Sequence, residues 1–336
     1  MCMKKFFTAA LAIAVMAACT KNEIVVSEST REITFQTIST KATSGFSEDN
    51  HFFSFAYYLE KGKTWDANKA DAVEYLKNAD ISYDSANKCW KNSTTSYYWP
   101  KAGTLTFFAW SDNTPSPSVT NATVSCDKAG IKFSQYYVMS NINKDLLVAD
   151  IAKDQSSNTT SFEGNSGNTW KQGVLTQFRH IQSYLIFNVK TKNDYAGVTF
   201  KVKSIYLNGV EVEKDYSQAT GWSNATKNGR IPAFTGDTQV TNTGADLTPA
   251  ADDYKYVLPQ DFDGNQTLKI DYTITTNYGV EAVQNVSVEK SLKDLYPNNW
   301  EAGKKYTLTI TFGLEEILWA PDVVDWEVGS VNGMNI

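Results

Sequence analysis

Strict two-residue alternation, repeated along the chain between turn residues, constrains this sequence more than any other feature. Tyr306, Leu308, Ile310 and Phe312 alternate with Thr307, Thr309 and Thr311. Successive side chains of an extended strand point to opposite faces, so such a run buries one face and wets the other. Leu268, Ile270, Tyr272 and Ile274 repeat the pattern. So does the end of the run from Leu175 to Thr191, where Leu185, Phe187 and Val189 oppose Tyr184, Ile186, Asn188 and Lys190. Glu32-Ile33-Thr34-Phe35-Gln36 starts the same way. Runs of this kind between Gly, Asn and Asp turns, without long helical windows, predict an all-β chain of antiparallel sandwiches and not βαβ units. The 17 Phe, 18 Tyr and 9 Trp side chains agree, because aromatic residues favour strands.

At 336 residues the chain exceeds one typical domain, so two are expected, and Thr191 to Gly197, polar and ending in Gly, is the predicted hinge. His51 to Tyr58 reads as a second strand, and Asp66 to Asn78 as the best helical window of the first half. Tyr97 to Trp110 reads as two aromatic strands joined in a hairpin by Pro100 and Gly103. Asn208-Gly209, between Ile205 and Val212, predicts a second hairpin, since a type I′ turn needs two residues with positive φ. The Ser/Asn/Thr/Gly-rich stretch from Asp154 to Thr169 is a surface loop, and no solenoid-type repeat is present.

The front of the sequence predicts export. Lys4 and Lys5 precede an apolar run from Phe6 to Met16, too short to span a bilayer, and Ala17-Ala18 leads into Cys19. Met16-Ala17-Ala18-Cys19 has the form of a lipobox, which makes residues 1–18 a signal peptide and Cys19 an acylated first residue. Residues 19–31 then form a lipidated tether, and no second run of membrane length follows. Loss of Lys4 and Lys5 with the signal moves the formal charge from −6 to −8. A body of this sign lacks the basic stripe that nucleic acid requires. Cys89 and Cys126 remain, and spacing alone does not decide whether they pair.

The inventory for chemistry is thin. His51 and His180 are the two histidines, and no accompanying partner set marks either as catalytic or metal-binding, so each reads as a structural histidine with one hydrogen-bonded ring nitrogen. No nucleophile elbow, zincin or phosphate-loop motif is present. Glu315-Glu316 is the tidiest carboxylate pair, but neighbours on a strand face opposite ways and do not flank one glycosidic bond. Asp261 to Asn265 has the acids and glycine of a calcium loop without its closing acid, and reads as a turn. The runs Tyr97-Tyr98-Trp99 and Phe107-Phe108-Ala109-Trp110 read as core, with sugar stacking as the competing reading. The expectation is a non-enzyme with no cofactor and no metal.

Several segments together resemble the fimbrillin family of Bacteroidales surface subunits. They are the lipobox at Cys19, Ile38 to Ala42, Tyr98 to Trp110, Asp145 to Ala149, Leu175 to Leu185, Trp300 to Leu308, and Val324-Asp325-Trp326. The resemblance implies two transthyretin-like antiparallel β-sandwich domains in tandem, residues 32–192 and 193–336. It also implies a lipoprotein precursor at the outer membrane and cell surface, tethered through Cys19. A trypsin-like protease would cut after a basic residue behind the first strand, and another subunit's strand would fill the vacated groove. In this sequence Glu32 to Ile38 is then the removable strand and Lys41-Ala42 the processing site, where the family often has Arg-Ala, with Arg31 as the alternative. Leu314 to Ile336 is the implied donor. The implied role is a stalk or tip subunit of a fimbrium, whose partners are other subunits and an adhesion target on a host or bacterial surface. The alternatives are an uncleaved lipidated anchor subunit, or a surface glycan-binding lipoprotein using Trp110 or Trp222.

Overall fold

The computed structural model describes residues 28–37, 46–157, 173–296 and 299–326. The chain begins with β1 (Glu28–Glu32), β2 (Phe35–Thr37), β3 (Phe52–Leu59), β4 (Val73–Asp84), β5 (Cys89–Asn92), β6 (Tyr98–Pro100) and β7 (Thr104–Ser111). Then come β8 (Thr123–Asp127), β9 (Gly130–Tyr137), β10 (Leu147–Ala149), β11 (Ala152–Gln155), β12 (Val174–Thr176), β13 (Phe178–His180) and β14 (Ser183–Thr191). The second half adds β15 (Val198–Ser217), β16 (Gly221–Trp222), β17 (Lys227–Val240), β18 (Ala245–Asp246) and β19 (Tyr256–Val257). It ends with β20 (Thr267–Asn277), β21 (Glu281–Ser291), β22 (Lys304–Phe312) and β23 (Ile317–Asp325). Among the described residues helix is confined to single turns such as α1 (Trp65–Asn68), and the fold is all-β, as its alternation predicts.

A front sheet runs β12-β2-β5-β4-β3-β7-β10-β13, with β11 on β7. A long sheet runs β21-β20-β15-β9-β8, and a closing sheet β18-β14-β22-β23. The front sheet is buried on both faces. Phe52, Ala56, Tyr58, Leu105, Phe107 and Ala109 point into one cluster, and Phe55, Tyr57, Leu59, Phe108 and Trp110 into the other. Burial on both faces explains why Phe52 to Leu59 and Thr104 to Ser111 read as nearly continuous apolar runs, where β22 alternates. The smaller cluster is covered by the β1–β6 ribbon with Ile33, Phe46 and Trp99. The larger cluster takes in the inner residues of the long and closing sheets, including Phe200, Ile270 and Phe312. The boundary at 192/193 falls between β14 and β15, which both pack in that cluster; β14 lies along the whole of β22, and β9 pairs with β15.

Four local expectations are corrected. The helical window at Asp66 to Asn78 holds α1 and one 3₁₀ turn, Lys69–Asp71; from Val73 the chain is β4, laddered to β3 with Leu76, Ala79 and Ile81 buried. Tertiary pairing overrides a weak local preference there. The strands flanking Pro100 do not form a hairpin. β6 pairs with β1 while β7 pairs with β3, so Pro100 to Gly103 is a corner between two sheets. Asn208-Gly209 is no hairpin turn either, for β15 runs through it unbroken from Val198 to Ser217. Gly209, at φ 68°, absorbs a register shift between Leu207 and Val210, a bulge that bends the strand from its partner β20 towards β9. Finally, β2–β12 and β14–β22 are parallel ladders, each joined by the long connection that a parallel return requires.

The corner makes a test. Gly103 has φ +83°, and a Cβ there would lie 2.3 Å from the Leu59 carbonyl oxygen. Gly103→Ala is expected to lower stability by about 1–3 kcal/mol, read as a fall in the denaturation midpoint with an unchanged slope.

Candidate functional site

The short strand β2 fills a slot in the front sheet. On one side Phe35 pairs antiparallel with Trp90 of β5; on the other, Phe35 to Thr37 run parallel to Val174 to Thr176 of β12. The Ile33 amide donates to the Tyr97 carbonyl at 2.7 Å, and the Val174 amide to the Thr34 carbonyl at 2.8 Å. Ile33 and Phe35 are buried, and the Phe35 ring meets Phe52 and Phe107 edge-on at 5.6 and 5.5 Å. Taking this segment away would strip β12 of its ladder partner, leave β5 paired on its β4 side alone, and bare Phe52 and Phe107 at once. Unpaired backbone beside apolar pockets is what an added strand satisfies.

Arg31 closes β1 half-buried, its guanidinium donating to the Ser157 carbonyl. A cut behind it would leave Ile33 and Phe35 in the slot. Cys19, Lys41 and Ala42 lie outside the described residues, as does the donor segment beyond Trp326.

The other implied element, β23, is the outermost strand of the closing sheet, laddered to β22 from Lys304↔Asp325 to Phe312↔Ile317. Its side chains anchor it thinly. Leu318, Val323 and Val324 are exposed, while Ile317 and Trp319 are half-buried against the core. The firm contacts are at its ends. Glu316 pairs with Lys192 at 2.7 Å and Asp325 with Lys304. Beyond the last rung, the Trp326 amide donates to the Gly303 carbonyl at 2.6 Å. The indole lies flat on the His180 ring, 3.5 Å between centroids, with Tyr256 parallel to it at 5.4 Å.

His180 is fixed in turn by a buried polar chain. Its Nδ1 meets Asp145 Oδ1 at 2.7 Å; Asn113 Nδ2 donates to Asp145 Oδ2 at 3.2 Å, and Asn50 Nδ2 to Asn113 Oδ1 at 2.8 Å. Next to it, Lys144 Nζ reaches Asp112 at 2.6 Å. Burial, reinforced by the Asp145 charge, pushes the Tyr256 phenol up from its ordinary value. His51 has the same single-carboxylate arrangement, with Asp80 at 3.0 Å. Sequence reading singled out Asp145 and His180 in separate segments and did not join them; their recurrence in two resemblance segments was the available signal.

The remaining candidates are placed as follows. Glu315 and Glu316 sit in the β22–β23 turn, and the amide and side chain of Asn265 hold the Asp263 carboxyl below its ordinary range in a tight turn. Trp110 is buried, stacked on Phe53 and edge-on to Phe133; Trp222 is half-buried and donates to the Ile181 carbonyl. Neither presents an open ring to a sugar. Cys89 on β5 and Cys126 on β8 are not joined by a disulfide.

A family model described as fimbrillin-like matches residues 12–326. Comparison with curated protein sequences finds no match. Among solved structures, a fimbrial protein of Bacteroides vulgatus superposes with a TM-score of 0.66 at 18% identity, over 88% of this chain and 99% of its own. A Bacteroides uniformis protein provisionally assigned to cell adhesion gives 0.53 at 15% identity, over 88% and 99%. At these identities the likeness is one of fold.

Proposed function

Because the chain belongs to the fimbrillin-like family, we propose that it is a structural subunit, stalk or tip, of a cell-surface fimbrium, assembled from a lipoprotein precursor by strand donation. In this reading Cys19 tethers the precursor to the outer membrane, and a cut between Lys41 and Ala42 frees the segment that carries β1 and β2. The C-terminal segment from Leu314 of another subunit then enters the slot between β5 and β12. The two sandwiches of the tandem, 32–192 and 193–336, offer the slot and the donor respectively. The observation that carries the reading is the burial of Ile33 and of Phe35, the first residue of β2, in the segment between the proposed tether and the proposed processing site. Such a strand completes the fold covalently at first and is replaceable by any strand that brings the same ladder and apolar pattern. Association then draws on backbone hydrogen bonds and buried rings, and needs no chemistry from either histidine.

N-terminal sequencing of filaments sheared from cells is expected to start at Ala42. Filaments carrying only acylated Cys19 at their front would overturn the stalk or tip role in favour of the anchor. Deleting Leu314 to Ile336 is expected to abolish polymers while the monomer still folds; polymers that persist would remove the donor assignment.

A further inference from the structure

A donor strand must first leave its own sheet, and beyond the β22 ladder and the Ile317 and Trp319 contacts, the ring packing that opposes departure lies at Trp326. β13, which carries His180, is a three-residue edge strand whose one ladder among the described residues is to β10, through Leu147↔His180 and Ala149↔Phe178. Residues two apart on a strand share a face, so Phe178 and His180 point the same way. Phe178 belongs to the cluster under the front slot: its ring stacks on Phe46 at 4.8 Å and meets Phe52 at 5.4 Å. Phe52 in turn meets Phe35 of β2 at 5.6 Å. A path therefore runs by ring contacts from Phe35 through Phe52 to Phe178, two residues along β13 to His180, and across a 3.5 Å stack to Trp326.

We propose that His180 and Trp326 form a clasp that keeps β23 on its own subunit while β2 fills the front slot, and that emptying the slot loosens the clasp. A subunit then offers its donor strand only after its own front strand has gone. This rests on reading β2 as the removable strand and β23 as the donor. The physical link is packing. A vacancy at Phe35 takes one ring neighbour from Phe52, on which Phe178 packs; close-packed rings shift partway towards a void, and a strand of three residues carries His180 with Phe178. Ring stacking weakens within an ångström of displacement, while the exposed middle of β23 adds little to hold it. Asp145 steadies His180 from the β10 side, so the clasp stays firm until these rings move.

Amide hydrogen exchange on the full, unassembled chain tests the coupling. Phe35→Ala is expected to speed exchange in β23 at least tenfold more than in β20, which lies outside the path. Trp326→Ala is expected to speed β23 by a similar factor, and adding Phe35→Ala to it should bring no further increase there. If Phe35→Ala does not fold, Phe35→Leu, which leaves a smaller vacancy, is read in the same way. Exchange in β23 that rises no more than in β20, or that is unaffected by Trp326→Ala, overturns the proposal. The sequence found at the front of filaments judges the assembly reading separately, because exchange in the monomer does not depend on polymer formation.

Discussion

Phe35→Ala is expected to lower the stability of the full chain by about 3–5 kcal/mol, the range for deleting a buried phenylalanine ring. Phe35 is 1% exposed and pairs with both β5 and β12, so Phe52 and Phe107 shift to fill only part of the space its ring leaves. Leu175→Ala, on the paired strand but 48% exposed, should stay within about 0.5 kcal/mol. Urea denaturation followed by tryptophan fluorescence distinguishes them, since Trp90 and Trp99 lie in the same cluster. A loss below about 1 kcal/mol for Phe35→Ala would mean that the slot closes without its strand. That outcome would also remove the reason for another strand to enter, because a groove that heals itself offers neither bare rings nor unpaired backbone. The same burial that makes the substitution costly sets what a donor must bring: a large apolar side chain at the Phe35 position and a second two residues before it, at Ile33.

Much of this was legible because burial writes itself into periodicity. The run from Tyr306 to Phe312 was readable since one face of β22 is buried and the other holds threonines. The runs from Phe52 and Thr104 were readable as strands, and their lack of alternation carried the further message that both faces are covered. Turn chemistry misled, for a physical reason. Gly209 and Gly103 do adopt positive φ, as a turn requires, but one serves a bulge within a 20-residue strand and the other a corner between sheets. Local sequence reports the backbone conformation and not the partner of the strand that follows. Asp145 and His180 were out of reach for a related reason: they lie 35 positions apart, and the β10–β13 ladder alone brings them together. The slot segment shows in its alternation, although only Phe35 to Thr37 of it form the strand β2 and Ile33 lies ahead of it, whereas the clasp at Trp326 depends on three elements meeting and leaves no local trace.

Lys144→Met is the other change with a large expected effect, about 3–5 kcal/mol, because it leaves a buried carboxylate without its cation. The Asp112 side chain is 0% exposed and Lys144 22%, so solvent screens this pair far less than the ion pairs on the surface. Asp112 also accepts from the Thr114 hydroxyl at 2.5 Å and the Ser118 amide at 3.1 Å, which orient the carboxylate without neutralising it. Lys144 Nζ in turn donates to the Ser118 carbonyl at 2.7 Å, closing a loop over the end of β7. Adding Asp112→Asn should recover much of the loss, since no charge is left buried: the amide oxygen accepts from the Ser118 amide, and the Thr114 hydroxyl, which met the other carboxylate oxygen, turns to accept from the amide NH2. A double-mutant cycle in urea reads this as a coupling of roughly 1–3 kcal/mol. Additive single effects would instead show that water reaches Asp112 and that the cation does little. Because Lys144 and Asp145 are consecutive, the same backbone step that seats the ammonium on Asp112 also aims Asp145 at His180. Lys144→Met is therefore expected to raise hydrogen exchange in β13 as well, while Lys153→Met, which removes an exposed pair with Asp66, should change neither stability nor exchange there.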